Sequence, residues 1–162
     1  MQISVFAIGR MKSGPERDLV ARYLERFEKS ASAIGLGFAS LIEKPESRAG
    51  DAPQRKREEA SWLLTHLNSQ PSTLLVLLDE TGKSLPSETL ADKIAQKRDQ
   101  GTRHIVFAIG GADGHDDSLK SHADLVLSFG AATWPHQMVR IMLAEQLYRV
   151  VTILSGHPYH RS

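Results

Sequence analysis

Cysteine is absent from this 162-residue chain, and with it go disulfides, thiolate metal sites and cysteine nucleophiles. That usage fits the reducing cytosol. No stretch approaches the ~18 consecutive apolar residues of a membrane helix. Residues 1–10 (MQISVFAIGR) carry their arginine after the apolar run, the reverse of a signal peptide. An excess of charge of one sign is missing too: 20 Lys and Arg stand against 19 Asp and Glu, for a formal net charge of +1. A protein that gripped nucleic acid over its whole surface would be more basic, so any RNA partner has to be met by a local patch. Several signatures are lacking as well. Gly9-Arg10-Met11-Lys12 follows the first apolar run where a nicotinamide-dependent oxidoreductase would carry G-x-G-x-x-G. No Gly-Lys-Ser/Thr follows the glycines at 110–114, no G-x-S-x-G elbow is present, and His115, Asp116 and Asp117 miss the EF-hand spacing.

What is present reads as one domain spanning residues 1–162, long enough to bury roughly 70% of its unfolded surface. A hydrophobic fraction of 41% and a charged fraction of 24% are those of a soluble globular protein. Apolar runs at residues 3–8, 38–42, 73–78, 104–109 and 125–129 predict five buried strands. Helical spacing fills the intervals. The first helix opens at Ser13-Gly14-Pro15-Glu16 with Ser13 as its cap, and turns Leu19, Val20, Tyr23, Leu24 and Phe27 inward. Residues 45–53 read as a loop, and residues 54–67 as a helix with Ala60, Leu63, Leu64 and Leu67 inward and Trp62 partly buried. Residues 87–98 form the next helix, and a short one through Leu119 to Ala123 is capped by Asp116 or Asp117. The last runs over 137–153, with Val139, Met142, Leu143, Leu147, Val150 and Val151 as core positions. Strand–helix alternation defines a three-layer α/β domain with a mainly parallel sheet.

In an open α/β sheet, ligands bind beyond the carboxyl ends of the strands. Leu78 runs into Asp79-Glu80-Thr81-Gly82-Lys83, whose two acids either bind a ligand's hydroxyl or amine groups or cap the turn. Ile109 runs into Gly110-Gly111-Ala112-Asp113-Gly114, where glycine allows either close approach of a ligand to the backbone or a tight turn. Phe129 runs into Gly130-Ala131-Ala132-Thr133-Trp134-Pro135, small residues that leave room and an aromatic that can wall it. The chain closes on His157, Tyr159, His160 and Arg161. The two histidines stand at metal-ligand spacing, but Pro158 disfavours a helix between them and no acidic third ligand is near in sequence, so no metal is expected. Arg161 can pair with phosphate, and Tyr159 and the histidines can stack on an unpaired base. Residues 44–57 hold Lys44, Arg48, Arg55, Lys56 and Arg57 against Glu46 and Asp51, a local basic excess whose plainest reading is a solvated face.

One series of residues runs through all of this: Ile109-Gly110-Gly111 with Gly114, Leu127-Ser128-Phe129, Thr133, Pro135-His136-Gln137-Met138, Arg140, Glu145-Gln146, Tyr148-Arg149 and the ending from His157 to Arg161. The opening I-x-V-F-A-I-G and the stretch from Leu78 to Lys83 belong with it. In this combination the chain closely resembles the RlmH family, small SPOUT-class methyltransferases that methylate N3 of a pseudouridine in 23S ribosomal RNA. The likeness spans the whole chain and is least distinctive over residues 30–70. It implies an α/β fold closed by a C-terminal trefoil knot, a homodimer in the cytoplasm, S-adenosylmethionine as methyl donor, and the ribosome as substrate. By position it puts the donor at Leu78, Gly110, Phe129, Gly130, Ala131, Ala132, Thr133 and Trp134. It draws the catalytic groups from His157, His160, Glu145, Arg140 and Tyr159. Of these, His157, His160 or Glu145 would remove the N3 proton, and Arg140, Tyr159 and Arg161 would hold RNA. The tail of one subunit would serve its partner's pocket. The competing reading is a non-catalytic RNA-binding α/β module, which binds no S-adenosylmethionine.

Overall fold

The computed structural model describes residues 1–70 and 72–159. Its strands are β1 (Gln2–Ile8), β2 (Gly37–Lys44), β3 (Thr73–Ser84), β4 (His104–Ile109) and β5 (Leu125–Ser128). They alternate with helices α1 (Pro15–Ala31), α2 (Ala52–Asn68), α3 (Ser87–Asp99), α4 (Asp117–Lys120) and α5 (His136–Leu154). All strand pairs are parallel, in the order β2-β1-β4-β3-β5.

The continuous apolar runs arise because helices cover both faces of the sheet. Ile3, Val5 and Ala7 of β1, Val76 and Leu78 of β3, and Ile105, Phe107 and Ile109 of β4 pack on the side of α1, α3 and α5. Their alternates Phe6, Ile8, Leu75, Leu77, Val106 and Ala108 meet Ala60 and Leu63 of α2 and Leu119 of α4. Each fully buried side chain of this kind contributes about 1.5–3 kcal/mol of transfer free energy. All five strands therefore end on one edge of a rigid, two-sided core.

Local structure departs from the sequence expectation in four places. The cap of α1 is Gly14 rather than Ser13, with no side-chain cap bond, because Pro15 occupies the first turn and leaves Ser13 one residue too early. Helix α2 starts at Ala52, since the Asp51 carboxylate accepts from Gln54 N at 2.7 Å. Strand β3 does not stop at Leu78. After a register break, Lys83 and Ser84 rejoin Leu127 and Ser128 of β5. Glycine is required at position 82, where a Cβ would stand 2.7 Å from the Val126 carbonyl carbon. Finally, Val139 and Met142 are only partly buried, while Tyr148 is buried among the core residues. Helix α5 rests on α1 and α3 through Leu143, Leu147 and Val151, which leaves its outer side uncovered.

Candidate active site

The carboxyl ends of β3, β4 and β5 enclose a cleft of about 370 Å³, within the size range of small-molecule sites. Leu78, Ile109, Leu127, Phe129 and Val139 form its apolar wall. Backbone and polar groups of the three loops form the rest. Gly110 stands where a Cβ would meet the Gly114 carbonyl carbon at 3.1 Å and His115 Cε1 at 3.3 Å. Gly130 takes φ 110°, a value other residues rarely adopt, and its turn is closed by Ser128, whose hydroxyl donates to Gly130 O at 2.9 Å and accepts from Gly130 N at 3.1 Å.

Side-chain bonds fix the three loops. Thr133 Oγ1 donates to Glu80 Oε2 at 3.0 Å, joining the β5 loop to the β3 loop. Asp79 Oδ1 accepts from Thr81 N at 2.9 Å and from the Thr81 hydroxyl, and Lys120 Nζ lies 3.4 Å from Oδ2. Burial works against the Asp79 charge, but those donors outweigh it and hold the carboxyl below its usual range. Asp79 thus caps its turn while lining the cleft. Arg55 of α2 forks onto Asp113 of the β4 loop at 2.7 and 3.2 Å and reaches Ala49 O at 3.1 Å.

The structure brings Leu78, Gly110, Phe129, Gly130, Ala132, Thr133 and Trp134 together around this cleft; Ala131 is exposed and does not line it. His136, Ser128, Lys56, Lys120 and His115 also line it and were not singled out from sequence. His136 and Ser128 lie inside the recognised series. Lys56, from α2, lies in the basic excess of residues 44–57, which read as a solvated face.

The remaining sequence candidates lie elsewhere. Arg140 is only 3% exposed. Its guanidinium donates to Glu43 Oε1 at 2.5 Å, to Ile8 O at 2.9 Å and to Gly9 O. Every engaged donor faces inward, away from the RNA contact expected from the sequence, and binds α5 to the ends of β1 and β2. Glu145 borders a second hollow, of about 400 Å³, that shares Leu127, Ser128 and Phe129 with the cleft. Its Oε1 accepts from Arg149 at 2.9 and 2.5 Å and from the Tyr159 hydroxyl at 3.1 Å, and its Oε2 from Gln146 at 2.8 Å. The Tyr159 ring packs 4.7 Å from that of Tyr148, with the Arg149 guanidinium 5.1 Å from its centroid. Burial, a bond to Tyr23 and the Glu145 charge push the Tyr159 phenol far up, so it is a hydrogen-bond donor and not an anion. His157 is exposed, and its Nδ1 accepts from Tyr159 N at 3.1 Å. The neutral ring then carries its proton on Nε2 and presents a donor to solvent. His160 and Arg161 lie outside the described residues. Among the described residues, no three His, Asp or Glu side chains stand close enough to hold a metal ion.

His115 has a consequence of its own. It is buried beneath Gly110 with Nε2 unpartnered, and burial pushes its pKa down despite nearby Asp79. The unfolded chain therefore takes up this proton at higher pH than the fold does. Stability is intact above the ordinary histidine value and falls as pH drops below it, by up to about 1.4 kcal/mol per pH unit. His115→Leu is expected to flatten the fall between roughly pH 6.5 and 5, with some loss at pH 7 from the ring's bonds to the Ala108 and Leu78 backbone. Denaturant midpoints across that range check it; an unchanged slope would remove His115 as its source.

A parallel α/β sheet with a glycine-lined cleft at its carboxyl edge is shared by several enzyme classes, and the whole-chain match decides among them. Residues 1–160 match the family described as "Predicted SPOUT methyltransferase", and the chain belongs to that family. It is 62% identical, over the full length of both chains, to Ribosomal RNA large subunit methyltransferase H of Mesorhizobium japonicum. It is 59% identical to the protein of that name from Rhizobium etli, over 99% of each. Among solved structures, a probable methylase family protein from Haemophilus influenzae superposes with a TM-score of 0.54 at 11% identity, covering 95% of this chain and 66% of that one. That likeness concerns the fold alone.

Proposed function

We propose that this chain transfers a methyl group from S-adenosylmethionine to N3 of a pseudouridine in 23S ribosomal RNA, acting as a cytoplasmic homodimer on the ribosome. One observation carries the reading: a three-loop cleft at the sheet's carboxyl edge, in a chain 62% identical end to end to a protein named as a large-subunit ribosomal RNA methyltransferase.

The cleft suits the donor. Leu78, Ile109, Leu127, Phe129 and Val139 offer apolar surface to adenine, and the open space at Gly130 admits a ligand against the backbone. Asp79 and Glu80 supply carboxylates for an amino group or ribose hydroxyls. When bound, the donor supplies a methyl already activated on a sulfonium, so positioning is the protein's main task. The N3 proton has to leave first; the freed lone pair then forms the N–C bond as the S–C bond breaks. His157 Nδ1 and both Glu145 oxygens already accept hydrogen bonds, so neither is poised to take that proton. Water or His160 remains as acceptor, and Tyr159 and Arg161 are left to hold the base and its phosphate.

None of Glu145, His157 or Tyr159 lines the cleft of its own chain. A second subunit resolves this by presenting its tail to the first subunit's cleft. Supporting such a pairing, α5 and the loop before it carry an apolar face at helical spacing: Trp134 (41% exposed), Met138 (39%), Ile141 and Met142. The trefoil threading belongs to the same reading. Its support is the close crossing of residues 79–84 over β5 at Gly82 and the bond from Thr133 to Glu80.

The test is transfer of labelled methyl to assembled ribosomes, isolated large subunits and free 23S RNA, followed by nucleoside analysis, with calorimetry of donor binding. Label in N3-methylated pseudouridine is expected. Donor binding without transfer to any RNA would overturn the substrate, and no donor binding would leave the RNA-binding module.

A further inference from the structure

The cleft occupies the β4–β3–β5 half of the sheet's carboxyl edge. The other half, formed by the ends of β1 and β2 and the first turns of α2, carries six cations: Arg10, Lys12, Lys44, Arg48, Lys56 and Arg57. Five are exposed, and the sixth, Lys56, is half-buried on the cleft wall. The backbone that presents them is firmly held. Gly9 N donates to Lys44 O at 2.7 Å, and Met11 N to Glu43 Oε1 at 2.9 Å. Ser47 ties the loop after β2 to α2, with its N–H donating to Glu59 at 3.0 Å and its hydroxyl to Glu58 at 2.5 Å.

Cations that hold this region together are paired: Arg55 with Asp113, and Arg140 with Glu43. None of the six makes an ion pair or side-chain hydrogen bond among the described residues. The acids near them are mostly committed to other partners: Asp51 caps α2, Glu58 and Glu59 hold Ser47, Asp116 holds Ser118, and Glu43 and Asp113 pair with Arg140 and Arg55, while Glu46 lies beside Gly9. Clustered, unpaired like charges repel one another and contribute nothing to folding, so their concentration beside the cleft calls for an anionic partner.

We propose that this ridge docks the RNA phosphate backbone flanking the target nucleotide and so sets which RNA segment enters the cleft. The inference rests on the reading that the cleft methylates RNA. Six phosphate contacts predict a steep salt dependence, a log–log slope of about −4 to −5.

The test is the triple variant Lys44→Gln, Arg48→Gln, Arg57→Gln, none of which lines the cleft, against a control that neutralises Lys93, Lys97 and Arg103. The substrate's KM and kcat are measured against salt, together with affinity for a short RNA duplex of arbitrary sequence and for S-adenosylmethionine. The ridge variant is expected to raise KM on the order of tenfold or more, weaken duplex binding alike and flatten the salt slope by about 2–3. Its kcat and donor affinity should stay as in the unaltered protein. An unchanged KM and slope, or an equal effect in the control, overturns the ridge. A raised KM for ribosomes with unchanged duplex binding overturns it too, since the ridge then meets protein. Should the unaltered protein methylate no RNA, the parent reading fails, and duplex binding alone still judges the ridge.

Discussion

Arg140→Ala is expected to cost about 3–5 kcal/mol of stability, the penalty for stripping one partner from a buried, hydrogen-bonded charge pair. The guanidinium engages the carbonyls of Ile8 and Gly9 and the carboxylate of Glu43, which itself accepts from Met11 N. Its removal orphans two carbonyls at the end of β1 and leaves Glu43, with a side chain 27% exposed, facing a void. At roughly 2–4 °C per kcal/mol for a chain of this size, the melting temperature should fall by about 10 °C. Arg140→Lys keeps the charge but cannot fork onto three acceptors, so an intermediate loss is expected. Thermal melts of the two variants decide the matter. A protein that melts like the unaltered one and loses only RNA affinity would return Arg140 to the phosphate-binding role its place in the recognised series implies.

Arg140 also marks the limit of what the sequence makes legible. The five apolar runs are visible because both faces of a parallel sheet are buried, and Leu78, Ile109 and Phe129 mark where those runs end. Ligand-side loops could therefore be named before any coordinates. Tertiary partners cannot be found that way. Arg140 meets Glu43 across 97 positions and Ile8 across 132, and although its spacing from Leu143 and Leu147 puts it on the buried stripe of α5, that spacing does not name the acceptors it meets. The extension of β3 to Ser84 is hidden for a related reason. Asp79, Glu80 and Gly82 have turn chemistry, and only the approach of β5 makes the crossing extended. The cap at Asp51 was legible in principle: Asp with Pro53 two residues on is a helix start, obscured by the surrounding prolines and glycine of a stretch that otherwise reads as loop.

Deleting residues 157–162 is expected to reduce methyl transfer by about a thousandfold or more, as loss of a positioned acid–base or substrate-holding group does, while donor affinity stays within about threefold. The cleft supports the second half of that expectation, because among the described residues none beyond Val139 lines it. The first half rests on the tail's composition and on how it is anchored. Tyr159 is held by Glu145, Tyr148 and Arg149, a network that anchors residues 157–159 against α5. Removing Tyr159 costs some packing, so the truncation is read beside two milder variants. Tyr159→Phe gives up the hydroxyl's bonds to Glu145 and Tyr23, worth about 1 kcal/mol each, and loosens the tail without removing it. His157→Ala deletes an exposed ring and should leave the melting temperature unchanged. If the tail positions substrate, transfer falls in the order truncation, then His157→Ala, then Tyr159→Phe, with donor binding constant throughout. Mixing truncated subunits with subunits defective in the cleft, for example Gly110→Val, adds a readout that a purely structural tail would not move. Complementary halves should regain about a quarter of the activity if each cleft uses its partner's tail, since random pairing makes about half the dimers mixed, with one of two composite sites intact in each. Full activity of the truncated protein alone would remove the tail from the site.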